Sequence, residues 1–141
     1  MKVLVSACLL GERCKYNGGD NYNAKIEEYI KGREVIKVCP EVMGGLQIPR
    51  KPAEIVDGEV RTEDGSSVDI EFRRGVEKVL ELIKEEEIEF AILQSRSPSC
   101  GVKEIYDGSF SKKKIAGQGL LAQALSERHI RLIDSSEFPL E

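Results

Sequence analysis

Apolar residues recur along the chain in short runs whose spacing switches between the periods of strands and helices. Residues 2–6, KVLVS, form an almost unbroken β-branched run, the pattern of a strand covered on both faces. A Gly- and Asn-rich loop follows over residues 11–21. Ile26, Tyr29 and Ile30 then recur three and four apart, which predicts a helix over 23–31 that Gly32 can end. Residues 35–38 predict a second strand. The stretch CPEVMGGLQIPRKP, residues 39–52, is punctuated by Pro40, Gly44, Gly45, Pro49 and Pro52 and predicts a loop. Asp57-Gly58 between apolar residues predicts a hairpin over 55–60. Phe72, Val76, Val79, Leu80 and Ile83 make the apolar stripe of a long helix over 69–86. EFAILQ, residues 89–94, predicts a third buried strand. A second loop spans 95–117 and opens with SRSPSCG. Leu120, Leu121, Ala124 and Leu125 predict a helix over 117–128, and residues 130–133 a fourth strand.

Strands alternating with helices imply right-handed crossovers and a parallel sheet. The expected architecture is α/β: a three-layer, Rossmann-like open sheet of about four parallel strands with a small β-hairpin insertion. Ligands of such sheets sit beyond the carboxyl ends of the strands, near a topological switch point.

The length of 141 residues fits one domain over 1–141. No apolar run approaches the ~20 residues of a membrane helix, and MKVLVSACLL reads as a first strand rather than a signal peptide. A net charge of -4 argues against holding nucleic acid by bulk electrostatics. A small-molecule site, or a weak local nucleic-acid contact, remains compatible with it. Four cysteines without a secretory signal point to reduced thiols in the cytosol. A single histidine, His129, removes His-rich metal sites and most schemes built on a His base.

Three of the cysteines share one circumstance. Cys8 follows the first predicted strand, Cys39 the second and Cys100 the third, so the fold rule brings all three to one edge of the sheet. Soft thiolate ligands suit iron–sulfur clusters, zinc or copper. Local CxxC knuckles of structural zinc are absent. Cys14 is available as a fourth ligand but lies in a charged turn, ERCKY. A cubane cluster on three cysteines would leave one iron open, the mark of a catalytic rather than a structural centre. Glu41, two residues after Cys39, is a candidate base on water, or else a loop acid or cap. Ser95, Ser97 and Ser99 precede Cys100 and can orient a substrate oxygen or a sulfur, or serve the turn. Gly44, Gly45 and Gly101 permit close backbone approach to a ligand.

These motifs resemble a family. VSACLLG around Cys8, the Tyr16-Asn17-Gly18-Gly19 turn, CPEVMGGLQIPRKPAEI from Cys39, and SRSPSCG ending in Cys100-Gly101 are similar to the small bacterial proteins related to 2-thiouracil desulfurase. The similarity covers essentially the whole chain. It implies a 4Fe–4S cluster on Cys8, Cys39 and Cys100 with the fourth iron open, and Cys14 is extra to the family pattern. The implied reaction is removal of sulfur from a small-molecule thiolated base without net redox, with Glu41 as base and Ser97 and Ser99 orienting the base or the leaving sulfur. Asn17 stands where the family usually has an acid. Three other readings fit the same residues: a non-catalytic cluster carrier or redox sensor, a sulfur-handling protein that acts on thiolated tRNA or in sulfur insertion, and a zinc-bound structural domain.

Overall fold

The structure, a computed structural model, describes residues 1–138. Strand β1 (Lys2–Ser6) runs into a single 3-10 turn, Ala7–Leu10, which Gly11 ends in the left-handed conformation. Helix α1 (Ala24–Tyr29) is capped by Asn23, whose side chain accepts from the backbone N–H of Lys25 and Ile26. There follow β2 (Glu34–Val38), α2 (Pro40–Met43), the hairpin β3 (Ala53–Val56) and β4 (Glu59–Thr62), and the long α3 (Asp69–Ile83). The chain continues through β5 (Ile88–Leu93), a second hairpin of β6 (Glu104–Tyr106) and β7 (Lys114–Ala116), α4 (Leu120–Glu127) and β8 (Leu132–Asp134).

Four parallel strands form the central sheet in the order β2-β1-β5-β8. The expected architecture is thus the observed one. Alternation along β1 explains the layers. Leu4 points to the face covered by α3 and α4, where it packs among Val76, Val79, Leu121 and Leu125. Val3 and Val5 point to the other face, against Ile26, Ile30 and Leu9. Both faces of β1 are therefore dry, as its β-branched run requires. The chain leaves β1 for β2 on one side and returns to β5 on the other, so the switch point lies at the carboxyl ends of β1 and β5.

Two elements stand where loops were expected. Residues 40–43 form α2 because Pro40 occupies the first helical position, where its missing N–H costs nothing and its fixed φ suits a helix. The loop over 95–117 contains the β6–β7 hairpin, whose three-residue strands are too short to show periodicity. α4 also starts later than expected. Gly119 is its N-cap, pressed so close to Ser99 that an added Cβ would lie 2.5 Å from the Ser99 carbonyl carbon.

A thiol-lined cavity as the candidate active site

The carboxyl edge of the sheet opens into a cavity of about 560 Å³. Cys8, Cys39 and Cys100 all line it, each reached from the end of a different parallel strand. Cys14 lines it too. The Gly11 turn folds the chain back so that the Cys14 thiol meets both the Cys8 and the Cys39 thiols. Sequence reasoning set Cys14 aside as part of a charged turn. Its side chain is in fact buried, and the available signal was the left-handed turn that Gly11 makes possible between the two thiols.

The thiols differ electrostatically. Hydrogen bonding from Cys14 lowers the pKa of Cys8, against the opposing effect of burial, and Asn21 Nδ2 assists at 3.4 Å from the sulfur. Cys39 is lowered as well, first by Cys14, with help from the Val42 backbone and the Arg50 charge. Cys14, which faces both and stays protonated, is pushed strongly up. Burial raises Cys100 to about 12, partly offset by the hydroxyls of Ser6 and Ser99.

Beside the thiols sits a polar chain. Glu41 Oε1 accepts from Arg50 Nε at 3.1 Å, and Glu41 Oε2 accepts from Ser99 Oγ at 2.9 Å. Arg50 is almost fully buried; its Nη2 donates to the Cys14 carbonyl at 2.8 Å and its Nη1 to the Gln47 carbonyl at 3.2 Å. One guanidinium thus ties α2, the Cys14 turn and the 47–50 segment together. A carboxylate only accepts, so Ser99 spends its proton on Glu41 and Ser97 donates to Ser99 at 3.0 Å. Ser97 Oγ also accepts from the backbone N–H of Ser99 and Cys100, at 3.1 and 3.0 Å. Its hydroxyl is fully engaged in shaping the loop. The N-terminus of α4 fixes that loop from below: its free N–H groups at Leu120 and Leu121 donate to the carbonyls of Pro98 and Ser99.

Three glycines expected near the substrate stand outside the cavity lining. Gly44 is buried against α3, where a Cβ would lie 1.9 Å from the Glu71 carbonyl oxygen. Gly45 is exposed at the end of α2 with φ of 101°. Gly101 closes the Ser97 turn, with a Cβ position only 2.9 Å from the Ser97 carbonyl oxygen. None of the three lines the cavity. Gly44 and Gly101 instead position the strand-end loops by close packing. Arg50 reads in the sequence as a surface charge or a substrate contact; the structure instead buries it as the partner of Glu41.

The donor set suits a metal cluster. Thiols are the ligands of iron–sulfur clusters. Among the described residues, no group of three or more Cys, His, Asp or Glu side chains is already arranged to hold a single metal ion.

Fold and site together define a Rossmann-like protein with a polythiol centre at the switch point of its sheet. The chain belongs to the 2-thiouracil desulfurase family, whose model matches residues 3–137. It is 37% identical over 145 residues to the uncharacterized protein YbbK of Bacillus subtilis (strain 168), covering 96% of both chains. Among solved structures it is similar to the 4Fe-4S-dependent thiouracil desulfidase TudS (DUF523Vcz), with 40% identity and a TM-score of 0.88 over 98% of this chain and 93% of that one.

Proposed function

We propose that this chain removes sulfur from thiolated nucleobases such as 2-thiouracil, using a 4Fe–4S cluster held by Cys8, Cys39 and Cys100. The observation that carries the reading is the meeting of thiols from three strand ends with the Arg50–Glu41–Ser99 chain in one cavity. When bound, such a cluster supplies a Lewis-acidic iron without a protein ligand, able to polarise a thiocarbonyl.

The protein residues supply the hydrolytic half of the reaction. Water adds to the carbon of the C=S group while Glu41 takes its proton. The carbon–sulfur bond then breaks, the oxo base forms, and sulfur leaves as hydrogen sulfide, taking the proton that Glu41 held together with the second proton of the water. No electron is gained or lost: thiocarbonyl and water become carbonyl and hydrogen sulfide. Arg50 balances the charge of Glu41 and fixes its carboxylate plane, so the base does not reorganise during the reaction. Ser99 holds the second oxygen by donating its hydroxyl proton, with its Oγ 3.7 Å from the Cys100 sulfur. Ser97 acts as a positioning residue for Ser99. The small-molecule reading is also supported by the net charge of -4.

The test is turnover of 2-thiouracil by anaerobically reconstituted protein, with uracil and sulfide released in equal amounts. Glu41→Gln should keep its iron and lose roughly 10²- to 10⁴-fold in rate, the usual worth of a general base. Near-normal turnover by Glu41→Gln would remove Glu41 from the mechanism. One observation favours a second reading. The contact of Cys14 with Cys8 and Cys39 is also what a closed four-thiol carrier or sensor centre would use.

A further inference from the structure

One wall of the cavity is built with unusual backbone. In the loop between β6 and β7, Phe110 has φ of 56° and Lys112 φ of 65°. Bulky side chains rarely adopt this left-handed region, and where they do the surrounding structure must hold them there. The hold here is visible. Glu54, from β3 of the other hairpin, accepts from the backbone N–H of Gly108 at 3.0 Å and of Phe110 at 3.2 Å. Gly108 lies so close to β3 that an added Cβ would sit 2.6 Å from the Ile55 carbonyl oxygen. The two hairpins are thus clamped together, and the clamp sets the direction of Phe110.

The ring so held does not serve the core. Phe110 belongs to neither hydrophobic cluster and to no aromatic pair among the described residues. It is half-buried and lines the cavity with the thiols. Two tyrosines, Tyr16 and Tyr106, line the same cavity. Tyr16 is 40% exposed and carries the Lys15 ammonium over its face at 5.9 Å, and Tyr106 belongs to the regular β6–β7 ladder.

We propose that Phe110 is the surface on which the planar ring of the substrate stacks, and that Glu54 is the positioning residue that presents it. This rests on the desulfurase reading and adds the source of its preference for flat, unsaturated heterocycles. A phenyl ring offers no hydrogen bond, so it selects by flatness and area. The groups that read ring edges are left to the polar side of the cavity.

The test uses reconstituted full-length protein, with iron content and thermal unfolding measured for each variant. Phe110→Ala and Phe110→Leu should raise KM for 2-thiouracil about 5- to 100-fold, the range of base–aromatic stacking, with kcat within about twofold of the parent. Phe110→Tyr should restore KM, and Glu54→Gln should raise it in the same sense. As competitive inhibitors, flat uracil should bind the parent more tightly than puckered dihydrouracil. Phe110→Leu should erase that difference. A Phe110→Leu variant with parental KM, or one that weakens uracil and dihydrouracil equally, overturns the proposal alone. A parent protein that holds its cluster but releases no sulfide from 2-thiouracil overturns the desulfurase reading, and this proposal with it.

Discussion

Arg50 and Glu41 form an ion pair whose side chains are 9% and 17% exposed, so the pair is governed by burial rather than by screening. Removing one partner leaves the other charge without compensation. Arg50→Ala should therefore destabilise the protein by about 3 kcal/mol, read from urea unfolding, where a solvent-exposed pair would cost less than about 1. A shift of only a few tenths of a kcal/mol would show that water reaches Glu41 freely. At this scale the sequence was legible where position in the fold carried the information. Cys8, Cys39 and Cys100 each follow a strand end, and their meeting in one cavity follows from the sheet rule alone. Arg50 and Cys14 were not legible in that way. Their places depend on a reversal at Gly11 and on a Pro-rich segment whose path is set by tertiary packing.

The short helix α2 shows how an element, rather than a residue, sets the site. It begins immediately after Cys39 and carries Glu41 in its first turn, so the orientation of α2 fixes the carboxylate relative to the thiols. That orientation comes from a glycine contact. Gly44 and Gly75 bring the backbones of α2 and α3 together, and a Cβ on Gly75 would lie 1.7 Å from the Pro40 carbonyl oxygen. Gly44→Ala should therefore cost at least about 2 kcal/mol, at the upper side of ordinary overpacking, and should lower turnover by moving Glu41. Circular dichroism melts beside rate measurements check both effects; a fully stable and active Gly44→Ala would break the link between this contact and the site. The long periodic elements β1, α3 and β5 follow from hydrophobic spacing. By contrast, α2 and the β6–β7 hairpin are too short for any period to appear, and α2 is announced only by Pro40 at its first position.

In the molecule as a whole, one parallel sheet supplies both the rigidity and the address of the site. Its central strand β1 is dry on both faces, and the chain reverses its winding direction between β1 and β5. The two hairpins stand beyond the carboxyl edge and contribute Glu54 and Phe110 to the cavity without adding to the central sheet. Among the described residues no helix is long and apolar enough to cross a membrane. The central claim is that Cys8, Cys39 and Cys100 hold a four-iron cluster while Cys14 stands beside it. Anaerobic reconstitution with iron and sulfide, followed by an iron count and an absorption spectrum, tests this on the parent and on Cys8→Ala, Cys39→Ala, Cys100→Ala and Cys14→Ala. About four irons per chain are expected in the parent and in Cys14→Ala, and loss of the cluster in each of the other three. A parent that takes up no iron, or a cluster that requires Cys14, would contradict it.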